Sequence, residues 1–208
     1  MSCTFRQNMY FCRMTVKDDN IRQQILDASR GVFQRYGFAK VTMDDIAKAV
    51  HKSRTTLYYY FKNKQEVFMA IVMDESKSLF VAARKNIRED QPFVWNLKEF
   101  ITVKLTMLSG MLASYHNLAT DIRDNKEFFT GMRSQAIAEE LSIFKQILKW
   151  AIHNHDIALI EGKDLDFLAL TLVTAFSSLE QEVIMNGNLA DITSRLDWLT
   201  AILAKGLK

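Results

Sequence analysis

The chain has 208 residues, 49% hydrophobic and 25% charged, a balance that excludes wholesale disorder and allows a substantial core. One proline and seven glycines give too little punctuation for a many-stranded sheet, so long helices are expected. The net charge of +3 hides an asymmetry: residues 1–64 hold 12 Lys and Arg against 5 Asp and Glu, and the other 144 hold 15 against 19, so a basic front suited to a polyanion precedes an acidic body.

Cys3 and Cys12 are the two cysteines. They cannot supply a disulfide framework or a zinc ligand set, which fits a cytoplasmic protein. The most apolar run, Phe167 to Phe176, falls well short of the ~20 residues of a membrane helix, and no signal peptide is evident, so no membrane partner is expected. Residues 1–17 lack periodicity and read as an N-terminal extension without fixed structure. Met9 and Met14 offer later translation starts, which N-terminal sequencing would test.

A first helix follows Asp18-Asp19-Asn20. It carries Ile21, Ile25, Ala28, Val32 and Tyr36 at helical spacing, with Leu26 and Phe33 beside them, and Gly37 stops it. A second opens at Thr42, where Asp45 three residues on resembles a capping box, and a third starts at Ser53 as N-cap. Asn63-Lys64-Gln65-Glu66 is another capping-box pattern and launches a long helix to about Ile87. Pro92 fits the first turn of a helix reaching about His116. Asn117 to Asn125 is polar and broken. A further helix carries Phe128, Leu141, Phe144 and Leu148; the last two are expected over 164–185 and 190–205. The fold expected is all-α, with a three-helix DNA-binding domain over 18–64 and a helical effector-binding and dimerisation domain over 65–208.

The third helix carries the chemistry. At 100° per residue, Arg54, Thr55, Tyr58, Tyr59 and Lys62 share one side, while Leu57 and Phe61 share the other. Three consecutive tyrosines cannot all face one core, so at least one is exposed beside the arginine and threonines. Two short helices joined by a tight turn, with such a surface on the second, form the layout of a helix-turn-helix entering a major groove. Arg54 can donate bidentately to guanine O6 and N7, and a tyrosine ring can pack on a thymine methyl. Lys64 sits in the first turn of a helix, where a cation opposes the macrodipole unless a phosphate lies there.

Over residues 18–68 the run Thr42…Ile46-Ala47-Lys48-Ala49…Ser53…Leu57-Tyr58-Tyr59-Tyr60-Phe61…Lys64-Gln65-Glu66 resembles the DNA-binding domain of the TetR family of bacterial transcriptional regulators. The resemblance implies a homodimer that places paired recognition helices on a palindromic operator in double-stranded DNA. By matching position, Arg54, Thr55 and Tyr58 would reach base edges, Thr42, Thr56, Tyr59, Tyr60 and Lys64 would hold phosphates, and Ser53 belongs to the same surface. His51-Lys52 stand where common members have Gly-Val, and Gly is frequent at the Thr55 position. The remaining two thirds resemble the family in being helical and of suitable length.

The resemblance also implies a small apolar effector held by the body, with Met107, Met111, Tyr115, His116, Phe144, Trp150 and Phe176 as candidate lining residues. It implies a dimer interface on the last two helices, read from the bands Leu168, Leu172, Phe176, Leu179, Val183 and Ile192, Leu196, Leu199, Leu203. No metal or cofactor is expected: His153-x-His155-Asp156 would point its histidines apart on a helix. No catalytic constellation stands out, so an enzyme is not expected. The leading expectation is a ligand-released repressor; the alternatives are an activator of the same fold, or a helical ligand-binding or interaction protein with a vestigial DNA-binding head.

Overall fold

A computed structural model describes residues 16–115 and 117–208, and all regular structure among them is helical. By its internal contacts the chain divides into two units, one ending at Ile71 and the other starting at Val72. The expectation for residues 1–17 falls almost wholly outside the described residues, and His116 lies outside them too.

The first unit contains α1 (Val16–Tyr36), α2 (Met43–Val50), α3 (Arg54–Tyr60) and the start of α4 (Lys64–Asn86). Gly37 ends α1 at φ 78°, its N–H donating to the Phe33 carbonyl at 2.9 Å. The buried stripe of α1 is Ile25, Leu26, Ser29 and Phe33, whereas Tyr36 is half exposed. The expected stripe was therefore rotated. Ser29 can face the core because its hydroxyl donates to the Ile25 carbonyl at 2.6 Å, which removes the penalty of an unpaired polar group. Phe33 and Phe38 each meet Phe68 at 5.0 Å between ring centroids, in a core completed by Ile46, Leu57, Phe61, Val67 and Ile71. Such ring pairs add roughly 0.5–1.5 kcal/mol each beyond area burial.

The caps follow the sequence closely. Thr42 Oγ1 accepts from the Asp45 N–H at 3.3 Å, and the Thr42 N–H donates to Asp45 Oδ2 at 3.0 Å, closing the capping box of α2. At α4, Asn63 Oδ1 accepts from the Glu66 N–H at 2.8 Å, but Glu66 reaches back to the Lys62 N–H rather than to Asn63.

The second unit holds the rest of α4, then α5 (Phe93–Ser114), α6 (Leu118–Asp124), α7 (Lys126–His153), α8 (Gly162–Asn186) and α9 (Leu189–Gly206). Pro92 is the N-cap of α5, one place before the expected first turn. The α5 start is tied by the Phe93 N–H to Asp156 Oδ2 at 2.7 Å, and buried Asn96 bonds the Arg88 and Gln91 carbonyls. The stretch expected to be broken contains α6, which buries Leu118 and Asp121. Through the core Phe100 meets Phe144 edge-to-face at 5.2 Å and Phe144 meets Phe176 at a tilt at 6.0 Å between ring centroids, in a cluster with Leu97, Leu105, Leu148, Leu172, Val173 and Leu196.

Helix α8 has two faces. Leu165, Ala169, Leu172, Val173, Phe176 and Val183 enter the core, while Phe167, Leu170 and Met185 are exposed. Between the exposed apolar groups, Thr171 and Thr174 donate to the carbonyls four residues back at 2.8 Å each, and Ser178 does so at 3.4 Å. With apolar groups on both faces, this 25-residue helix is long and apolar enough to cross a membrane by length and composition, which the ten-residue run at its centre did not suggest. Its buried stripe accounts for much of that apolarity.

Candidate nucleic-acid interface

The turn between α2 and α3 is built without glycine. His51 takes the left-handed conformation at φ 55°, and the His51 and Lys52 N–H groups close on the Lys48 and Ala47 carbonyls at 3.2 and 3.1 Å. Histidine tolerates this region less readily than glycine, and the two backbone bonds hold it there. Ser53 then starts α3, its Oγ accepting from the Thr56 N–H at 3.1 Å. Leu57 is the buried residue of α3, and Phe61 anchors its far end.

That anchoring turns the opposite side outward. Arg54, Thr55, Tyr58 and Tyr59 are exposed, Tyr59 to 76%. Thr42 and Thr56 lie at the two helix starts and serve their caps, Thr56 Oγ1 lying 2.9 Å from Ser53 Oγ. A shallow concavity between α2 and α3 is lined by Asp44, Ala47, Lys48, His51, Lys52 and Arg54. Four of those six residues are basic or imidazole groups. Within it the Arg54 guanidinium is ion-paired to the Asp44 carboxylate.

Two of the expected phosphate holders are engaged inside the protein. The Lys64 ammonium donates to the Phe38 and Ala39 carbonyls at 2.8 Å each and lies 4.9 Å over the Phe38 ring. It ties α4 to the turn after α1, which explains a cation in the first turn of a helix without a phosphate. Tyr60 is half-buried and donates to Asp18 Oδ1 at 3.2 Å. Partial burial and the Asp18 carboxylate push its hydroxyl above the usual tyrosine range. Asp45 moves the other way: the Thr42 hydroxyl, then the Thr42 N–H, hold its carboxyl below the usual value.

In the body, the candidate lining residues divide. Met107, Met111 and Trp150 are half-buried, and buried Tyr115 donates to Glu75 Oε1 at 2.6 Å. Phe144 and Phe176 are buried and pack ring against ring in the core. Sequence reasoning missed a charged cluster beside them. Lys104 of α5 pairs with Glu140 of α7 and, at 2.6 Å, with Glu180 of α8, which also meets Arg133 at 3.2 Å. Burial outweighs the Lys104 ammonium and lifts the Glu140 carboxyl above the ordinary range. The signal was present: Lys104, Glu140 and Glu180 each interrupt the apolar stripe of their helix.

Part of each expected dimer band enters the subunit's own core. Leu172, Phe176, Val183 and Leu196 are buried, and Leu168, Leu179, Ile192, Leu199 and Leu203 are half-buried against the same cluster. The apolar groups turned outward are instead Phe167, Leu170 and Met185 on α8, with Trp198 and Ile202 on α9. Both helices are apolar on two sides, and the core takes the more continuous stripe.

Residues 25–71 match the family described as bacterial regulatory proteins, tetR family. The HTH-type transcriptional regulator RutR of Escherichia coli K12 is 32% identical over 84 residues, covering 40% of this chain and 39% of RutR, so that match spans well under half of the relative's length. The fatty acid metabolism regulator protein of Bacillus subtilis 168 is 24% identical over 191 residues, 88% of this chain and 94% of its own. In solved structures, FadR from Bacillus subtilis in complex with stearoyl-CoA superposes with a TM-score of 0.65 at 21% identity, over 89% of this chain and 99% of that one. At that identity the likeness shows the fold.

Proposed function

We propose that the whole chain, whose residues 25–71 match the tetR family of bacterial regulatory proteins, is a dimeric, ligand-responsive transcriptional repressor acting on DNA in the cytoplasm. The observation that carries this reading is the outward face of α3. Arg54, Thr55, Tyr58 and Tyr59 project from a helix whose other side is fixed by Leu57 and Phe61. Phosphate contacts from Thr42, Ser53, Thr56 and the basic concavity would set register, and Arg54, Thr55 and Tyr58 would read bases.

The dimer would use the outward apolar residues of α8 and α9, which include Phe167, Leu170, Met185, Trp198 and Ile202. Two-fold pairing would set the separation of the recognition helices to a half-site spacing of about 10 bp or somewhat more. The effector would carry a long apolar chain. This is supported by similarity over most of the chain to a fatty acid metabolism regulator and by the stearoyl-CoA bound to a FadR of the same fold. Helix α4 would transmit its binding, because its residues 64–71 belong to the first unit and its remainder to the second. By linkage, effector and operator would weaken each other by the same factor, typically 5–150-fold.

Selection of bound duplexes from a random library, followed by operator titration with and without stearoyl-CoA, tests the whole reading. A pseudo-palindrome released by the acyl thioester is the expected result. Absence of any enriched sequence would overturn the DNA reading, and unchanged operator affinity at saturating ligand would overturn the proposed effector class.

A further inference from the structure

The Arg54–Asp44 pair joins the first residue of α3 to the first turn of α2. Arg54 is 67% exposed and Asp44 38%. Exposed pairs of this kind contribute little to stability, and the capping work at the start of α2 is already done by Asp45 through Thr42. Asp44 is also the acid in a concavity otherwise lined by Ala47, Lys48, His51, Lys52 and Arg54. A carboxylate at that spot repels phosphates and so opposes general affinity for DNA.

We infer that Asp44 is a positioning residue for base recognition, holding the Arg54 guanidinium by one edge so that its other edge is presented in one orientation to a guanine. This rests on the DNA reading above. Guanidinium carries five N–H donors in a rigid fork, so one edge can remain on a carboxylate while two parallel N–H groups meet O6 and N7. An unheld arginine would search many rotamers and could settle on a neighbouring base or a phosphate. A base that draws the guanidinium away leaves Asp44 unpaired beside the phosphates, which adds a penalty to the wrong sequence. Asp44 therefore raises specificity and lowers non-specific affinity, and these opposite effects separate positioning from a merely structural contact.

The test is selection from a random duplex library with the unaltered full chain, Asp44→Ala, Arg54→Ala and the double variant, alongside titration of a non-selected duplex. Asp44→Ala should relax discrimination roughly tenfold at the same base pair that Arg54→Ala relaxes, within the range of a bidentate contact. Its affinity for the non-selected duplex should rise, and the double variant should be no less discriminating than Arg54→Ala alone. Asp44→Glu should recover part of the discrimination. An unchanged base pattern in Asp44→Ala, relaxation at a different base pair, or a parallel fall in both affinities would overturn the inference. If the unaltered chain enriched no sequence, the DNA reading would fail and this inference with it; if it enriched an operator, any of the first three results would overturn the role of Asp44 alone.

Discussion

Replacing Lys104 by Met removes the cation between two buried carboxylates while keeping most of the side-chain volume. Glu180 retains Arg133 at 3.2 Å, but Glu140, its side chain 5% exposed, loses its ion-pair partner among the described residues. Its escape is to bind a proton. Holding an ordinary glutamate carboxyl neutral costs about 3.7 kcal/mol at pH 7 and about 1 kcal/mol at pH 5, taking a usual value near 4.3 and roughly 1.36 kcal/mol per pH unit. Lys104→Met should therefore lower unfolding free energy by about 3–4 kcal/mol at pH 7, in keeping with the roughly 3–5 kcal/mol for breaking buried pairs, and by nearer 1 kcal/mol at pH 5. In the unaltered protein the sign is the same but the effect smaller. The folded state already holds the Glu140 proton more tightly than the unfolded chain, since burial outweighs Lys104. That contribution is fully present below the unfolded value and is lost as pH rises through the raised folded one. Urea unfolding at fixed protein concentration across pH 5–8 reads the difference. A loss below about 1 kcal/mol at pH 7, or one that does not shrink on acidification, would refute the reasoning. The double variant Lys104→Met with Glu140→Leu should recover much of the stability.

Lys64→Met should destabilise the first unit by about 1.5–3 kcal/mol through loss of the charged bonds to the Phe38 and Ala39 carbonyls, read by hydrogen exchange of α1 and α2 amides. Asp45→Asn should lower stability at neutral pH. Because the folded Asp45 carboxyl lies below its usual value, the difference from the unaltered protein should begin to shrink near pH 4 and vanish once pH passes below the folded value, in urea unfolding. Trp198→Glu together with Phe167→Glu should yield monomers in sedimentation, whereas a persisting dimer would place the interface elsewhere.

Where the chain carries its own punctuation, the sequence was sufficient. Gly37, Thr42 with Asp45, and Ser53 mark helix ends through bonds made within a few residues, and the outward tyrosines of α3 follow from helical spacing alone. What depends on partners distant in sequence was not legible. Lys64 reads as a phosphate contact, and its hydrogen bonds to the Phe38 and Ala39 carbonyls, about 25 residues earlier, could not be read from its own neighbourhood. Tyr60 is claimed by Asp18, 42 residues away. Helix α6 was hidden because it buries only Leu118 and Asp121 from a polar stretch. The bands on α8 and α9 were ambiguous for a different reason: periodicity finds an apolar face but cannot say whether the same chain or another copy covers it. Phe167 and Trp198 lay on the less continuous faces of their helices.

The hydroxyls on the outward side of α8 bear on what water would lose there. Thr171, Thr174 and Ser178 each donate to a carbonyl of their own helix, so their protons are already bonded before anything approaches. Excluding solvent from such groups forfeits far less than stripping an unbonded hydroxyl, for which dehydration costs roughly 1–3 kcal/mol in proteins. To a partner helix this nominally mixed surface is less polar than its sequence suggests, and it can be dried without supplying new acceptors for these hydroxyl protons. The same bonds turn the side chains back along the helix, leaving small, smooth relief between Phe167, Leu170 and Met185. Replacing Thr174 by valine should accordingly change self-association very little, while asparagine there would bring a larger amide whose two donors and carbonyl a single bond back to the helix does not satisfy.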